Sequence, residues 1–471
     1  MRTALILLLV VALGSVAGSF IPQIPNTPQR VSRFFVEHPL LARIYDGLGL
    51  FDVFGSWWFT LTYVLLLISL ASCLIPRTRG LIRALRQKGQ PARDLEGLRH
   101  YATATVGEAP GEALGRARRV LRRRRYRVAR GNEGLAAEKG LARDVGSLVF
   151  HWAFFLLLIG IVYGKGFGFT AQATIVEGET WTEARASYDF PPRTGRFFGD
   201  RHTGFQIHVR DFEVRYHDDG LPDEFISQVD VLDEGRVVRS EEIRVNHPLE
   251  EQGVKLFQSG YGWAPVIEVR KDGELLTSEP LIFITDDPGD LRTPWRGAIK
   301  LPGLDPDVGL EFRLIPDSEA FVAGAPMLYA RSPFLSYTAY RGDLRLTAAQ
   351  SVFDLDTTRL AEWQSGGVGM GETVELPGGL EITFPELREY TQLLVARDPG
   401  TWIMLGGAGL ILAGLVPALY SSRRRLWVRA LPSEGGTKLE VGGFALQRKA
   451  AFEEEFDRVL RDLSLERELV E

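Results

Sequence analysis

Four stretches of this chain run for 18 to 20 residues without a single Asp, Glu, Lys or Arg, and they constrain its fold more than any other feature. They are Thr3–Phe20, Trp57–Ile75, Val145–Tyr163 and Thr401–Tyr420. A helix rising about 1.5 Å per residue needs about 20 apolar residues to cross the hydrocarbon core of a bilayer. Buried helices of soluble proteins are rarely so long and so free of charge. The sequence therefore predicts four membrane spans within 471 residues. The first run also admits a cleaved signal peptide, with Arg2 before it and a small-residue site at Ser15-Val16-Ala17. One basic residue is a thin n-region, and the apolar run is long for an h-region, so a retained span is favoured.

Charge assigns the sides. Residues 77–145 hold 18 basic and 7 acidic side chains, including Arg122-Arg123-Arg124-Arg125, whereas residues 146–398 hold 23 basic and 40 acidic. Arg423-Arg424-Arg425 follows the last span directly. The positive-inside rule then places residues 76–144 and 421–471 in the cytoplasm, with residues 21–56 and 164–398 outside a cell membrane and both termini inside. An arginine run beside two spans reads as a face on the lipid headgroups, with no nucleic-acid partner expected.

The single cysteine, Cys73, excludes an intrachain disulfide framework, a CxxC redox pair, a cysteine zinc site and a CxxCH haem attachment. Residues 167–398 alternate with period two, as in Phe205–Val214, Phe225–Leu232, Val237–Val245 and Val266–Leu276, separated by turns such as Asp233-Glu234-Gly235 and Lys271-Asp272-Gly273. An antiparallel two-layered β sandwich or pair of sheets is expected there. In the tail, Phe452, Phe456, Val459, Leu460 and Leu463 form one helical stripe, expected to be a small cap or docking helix.

No nucleophile elbow, phosphate-binding glycine loop, HExxH or telling carboxylate pair is present. His151 is the one histidine inside an apolar run, six residues past its start, which puts it about 9 Å beneath the cytoplasmic surface. An imidazole in lipid must find a partner, and metal ligation is its most economical function; a bond to a neighbouring backbone or hydroxyl is the structural alternative. Phe150, Trp152, Phe154 and Phe155 flank it and suit either a flat aromatic ligand or ordinary packing. Cys73 shares the inner leaflet with His151; a lone membrane cysteine is usually a small hydrophobe, though a thiolate can meet haem. His247 reads as shaping a turn before a strand. His38, His202, His208 and His217 have no supporting pattern.

These residues together resemble the ResB family, also called CcsB, of system II cytochrome c biogenesis. The likeness runs in order along nearly the whole chain. It comprises Ser56-Trp57-Trp58-Phe59, Ser72-Cys73-Leu74-Ile75-Pro76-Arg77, His151, Glu177-Gly178-Glu179-Thr180, Val245-Asn246-His247-Pro248-Leu249, Phe257-Gln258-Ser259-Gly260-Tyr261-Gly262, Asp398-Pro399-Gly400 and Arg424-Arg425-Leu426-Trp427-Val428. The resemblance implies a subunit that works with a second membrane protein, ResC or CcsA, to move haem (b-type, in transit) across the membrane. Outside, its vinyl groups are joined to cysteines of apocytochrome c. It also implies that His151 is an axial ligand of haem iron and that Cys73 belongs to the same haem site. Trp57-Trp58 is not followed by Asp, so the partner's tryptophan-rich haem loop is absent and the chain is not expected to be catalytic alone. Phe257 stands where a tyrosine is expected, which removes a hydroxyl. The competing function is a membrane-anchored extracytoplasmic β-domain scaffold without cofactor. Solute transport is disfavoured by the scarcity of intramembrane ionisable groups.

Overall fold

Apolar length sets the four longest spans of helix. In the computed structural model, which describes residues 2–465 apart from 25–26, 87–93, 132–133, 218–219, 286, 288–289 and 347–349, helix α1 covers Arg2–Phe20. Two short helices follow, α2 (Pro28–Glu37) and α3 (Pro39–Gly47). Then come α4 (Trp57–Arg86), α5 (Pro110–Arg123), α6 (Ala142–Phe167), α7 (Ser318–Val322), α8 (Thr401–Tyr420) and α9 (Lys449–Asp462). Of these α1, α4, α6 and α8 are long and apolar enough to cross a membrane. The tail residues 466–471 lie outside the described part.

The chain divides into two compact units, Met1–Leu158 with Ile403–Glu471, and Ile159–Trp402. In the first unit, helix pairs close on small residues. A Cβ on Gly14 would stand 3.0 Å from the Phe59 ring, so α1 lies against α4. One on Gly146 would stand 2.5 Å from the Gly414 carbonyl oxygen, and one on Gly414 2.6 Å from the Phe150 nitrogen, so the α6 and α8 backbones nearly touch. In lipid, where no hydrophobic force separates helix from solvent, such close van der Waals packing holds helices together.

The same unit contains a small α/β domain assembled from two distant parts of the chain. Its antiparallel sheet runs in the order His100–Val106, Gly436–Ala445, Arg424–Ser433, Gly134–Lys139, Arg127–Arg130. Helices α5 and α9 bury Ala113, Leu114, Ala117, Leu121, Phe452, Phe456, Val459 and Leu460 in one core with it. The stripe in the tail is thus a helix as expected, and it packs on a sheet to which residues 424–445 contribute two strands that the sequence did not suggest. They pair with each other as a hairpin, while their outer neighbours, His100–Val106 and Gly134–Lys139, lie some three hundred residues earlier, beyond the reach of local pattern. The arginines that close the last span are paired: Arg423 with Glu138 and Asp144 at 2.6 and 2.9 Å, and Arg424 with the buried Glu455, which also takes Lys139 at 2.9 Å.

The second unit is β-rich, as its period-two pattern indicates. Two 18-residue strands, Val254–Lys271 and Leu380–Arg397, pair with each other along their length and dominate a seven-stranded sheet. Two four-stranded sheets face it. Near one end, Leu256, Leu393 and Val395 share a core with Ile207, Val209, Val229 and Ile243. Toward the other, Ile267, Val269, Ile382 and Phe384 share a separate core with Leu310, Phe312, Leu314 and Leu335. The arrangement is therefore two sandwiches sharing their longest strands, a form of the antiparallel, two-layered sandwich or pair of sheets that the sequence suggested. Register shifts at Gln258/Gly260 and Val266/Glu268 bend the shared ladder, as bulges do.

Gln258 joins the layers. Its Oε1 accepts from Ser227 Oγ at 2.8 Å and Thr391 Oγ1 at 3.0 Å, and its Nε2 donates to Gly260 O at 2.9 Å. Ser227 and Thr391 are completely buried. Removing the amide leaves buried hydroxyls short of a partner, which costs about 1–3 kcal/mol. Gln258→Ala in the full-length protein is expected to lower the thermal midpoint of the β unit, followed by circular dichroism in detergent, and Gln258→Glu is expected to do so more severely at neutral pH.

Candidate functional site

His151 sits on α6, and the helix itself decides which ring nitrogen is free. Its Nδ1 lies 2.6 Å from the carbonyl oxygen of Ser147, one turn earlier. A carbonyl only accepts, so Nδ1 carries the proton and a neutral ring presents Nε2 as a bare lone pair. Histidines that bind metals use this arrangement, with one nitrogen tethered and the other on the metal. The Phe150 ring stands edge-on to the imidazole at 5.1 Å and to Phe154 at 5.2 Å. Phe155 lies 5.2 Å from Trp152. The donor set thus fits haem: one neutral nitrogen among aromatic rings, adding no net charge to the lipid.

Trp152 ties this part of α6 to α4. Its Nε1–H donates to Thr78 Oγ1 at 3.1 Å, while the same hydroxyl donates to Leu74 O at 2.8 Å. Thr78 lies between Arg77 and Arg79, the first charges after the apolar run of α4. Trp152, the residue after His151, is thus bonded to the point at which α4 turns polar. Cys73 lies on α4 about 7.5 Å further into its apolar run by helical rise, and its thiol is exposed. The two residues occupy neighbouring helices, and among the described residues no bond joins them. No cluster of three or more His, Cys, Asp or Glu suited to a metal ion occurs among the described residues either.

Other motif residues have structural work. Ser56 Oγ accepts from Phe59 N at 3.4 Å at the start of α4, and Trp58 Nε1 donates to Leu48 O at 3.0 Å. Leu48, Leu50, Trp57 and Trp58 line a small cavity of about 310 Å³ there. His247 closes a four-residue turn, its N and O exchanging bonds with Arg244 at 3.0 and 3.2 Å, with Asn246 at φ 64° between them. His202, for which the sequence offered no pattern, is drawn onto Glu183, whose carboxylate is wholly buried. Glu183 accepts from His202 Nδ1 and Tyr188 OH at 2.6 Å each and from the Thr203 backbone and hydroxyl. Burial alone would push this carboxyl up; the bonds from Tyr188, His202 and Thr203 outweigh it and hold it below the usual range. Partners so far apart in the alternating pattern give no local signal.

Glu389 is the opposite case. Burial, then the like charges of Glu177, Asp211 and Glu213, push its carboxyl up to about 8.

A protein with four helices suited to a bilayer and a large separate β unit, carrying an imidazole free at Nε2 within one of those helices, is of the membrane-anchored β-domain class. A family model described as the ResB-like family matches residues 1–457, and the chain belongs to that family. A protein of a Synechococcus strain named cytochrome c biogenesis protein CcsB is 28% identical over 98% of this chain and 90% of its own length. Proteins of the same name from Trichormus variabilis and a Nostoc strain are each 27% identical over 98% of this chain and 91% of theirs.

Because Glu389 titrates higher in the folded protein than in the unfolded chain, it favours folding below the ordinary glutamate range, and that contribution is lost as pH rises toward about 8. Glu389→Gln, which keeps the group neutral, is expected to stabilise the full-length protein above pH 8 and to leave it unchanged near pH 4. Thermal unfolding across pH checks this; equal effects at both ends would contradict it.

Proposed function

We propose that this chain is a haem-handling component of cytochrome c biogenesis, a subunit of a system II cytochrome c synthase. His151 Nε2 takes the iron of haem supplied from the cytoplasmic side. With a ResC/CcsA-type membrane partner, the chain passes haem to the outer surface and supports its attachment to apocytochrome c. Attachment adds each apocytochrome S–H across a haem vinyl group, with no atom lost. The partner's tryptophan-rich loop completes the reaction, and this chain alone is not the catalyst.

The observation that carries the reading is the Nδ1–H bond to Ser147, which spends one nitrogen on the helix and leaves the other bare among aromatic rings. The names of the relatives support the same process. Net positive charge on residues 77–145 and net negative charge on 146–398 support a cytoplasmic α/β domain and an extracytoplasmic β unit in the cell membrane, with both termini cytoplasmic. The exposed Cys73 thiol belongs to the same inner region and is a second group within reach of a ring lying on α4 and α6. Reduced iron and free apocytochrome thiols are needed outside, and a β unit without cysteine cannot trap those thiols as mixed disulfides.

Co-purified with its partner, the wild-type chain is expected to show a Soret band that weakens strongly in His151→Ala and partly returns with added imidazole. An unchanged band in that variant removes His151 from the site. Retention of the same partners with no haem at all would instead favour the scaffold function. Reporter fusions at residues 110 and 300 are expected to report opposite sides of the membrane.

A further inference from the structure

We propose that Arg77 holds a carboxylate of the haem whose iron sits on His151, an inference that rests on the haem-binding reading above. Helix α4 delivers the chain into the small α/β domain and α6 leads it out, so the two helices are antiparallel where they meet. The bond from Trp152 Nε1 to Thr78 Oγ1 fixes which residues face each other. One step back along each helix turns the side chain by about 100°. In an antiparallel right-handed pair these two backward turns go to the same side, so His151 and Arg77 emerge together on one flank. Each backward step adds one helical rise in opposite directions, about 3 Å together, to whatever offset separates the bonded pair. A forward step reaches Arg79 and Ala153 on the opposite flank, where Ala153 is buried. On the His151 flank the imidazole is half-buried, Arg77 is exposed, and Cys73, one turn before Arg77, is exposed too.

Arg423, Arg424, Arg425 and Arg124 in this unit are matched to carboxylates. Among the described residues no carboxylate pairs with Arg77, nor with Arg79, Arg83 or Arg143, so it is the place beside His151 that singles out Arg77. Arg77 is also the first charge after the apolar run of α4. Haem is an apolar disc with iron at its centre and two carboxylates on one edge. With iron on an imidazole beside the part of α4 that turns polar, that edge points to water. The planar fork of a guanidinium matches a carboxylate there with two parallel hydrogen bonds. His151 would then select the metal, and Arg77 would select the free-acid edge and set the ring's orientation.

The test is a titration of the full-length protein in nanodiscs with ferric haem and with haem dimethyl ester, whose carboxylates are capped. Wild type is expected to bind haem more tightly than the ester by roughly ten- to a hundredfold, as a charge-assisted pair would give. Arg77→Gln is expected to erase most of that preference while leaving ester affinity and the His151-dependent Soret position unchanged, Arg77→Lys to restore part of it, and Arg79→Gln to keep it. An equal preference for the free acid in wild type and Arg77→Gln overturns the role of Arg77 and leaves His151 standing. A Soret band indifferent to His151→Ala, or no binding of either ligand, overturns both. Repeating the titration in zwitterionic and anionic lipid separates a competing phosphate: an Arg77→Gln effect seen only as altered dependence on lipid charge assigns the guanidinium to headgroups and counts against the proposal.

Discussion

A carbonyl oxygen can accept a proton but never give one, and the function proposed here follows from that. The Ser147 carbonyl holds the proton on His151 Nδ1 at 2.6 Å, so the polar side chain in the apolar helix is satisfied on one side and basic on the other. An imidazole with both nitrogens bonded to protein would be inert; one with neither bonded would be costly in lipid. The single internal bond resolves the cost and creates the ligand at once. Phe150 and Phe154, packed edge to face, then supply aromatic contacts beside it. The tight α6–α8 contact at Gly146 and Gly414 keeps the helix that carries the ring from shifting.

Around that helix the protein divides its labour by charge and by secondary structure. Arg423 and Arg424 bind carboxylates that include Glu138, Asp144 and Glu455, so the arginines that follow the last apolar run also tie the end of α8 to the start of α6 and to α9. In the β unit two 18-residue strands serve two cores, and the Gln258 bridge sits where one core gives way to the other. Much of what reads as a family motif there, Phe257–Gly262 in particular, is the bulge and polar bridge that let long strands bend.

The spans and the β character of residues 167–398 were legible because both rest on local periodicity: an uncharged run in one case, alternation in the other. His151 was legible because a lone histidine in an uncharged run is conspicuous. Other features depended on contacts that local patterns do not encode. The α/β domain joins strands such as His100–Val106 and Gly436–Ala445, separated by the entire β unit. The pairing of Glu183 with His202 joins positions in two separate loops. The part of α4 that lies beside His151 emerged only from a bond between two helices, and so did the significance of Arg77, which in sequence is merely one arginine among eighteen basic residues.

The central claim is that iron rests on the side chain at position 151. Exchanging that ligand tests it most directly: His151→Cys, in a Cys73→Ser background so that no native thiol competes, purified with the partner and examined by electron paramagnetic resonance and optical absorption. The expected result is replacement of the imidazole signature by that of a thiolate-bound ferric haem. Retention of the original signature, with haem still present, would contradict the account.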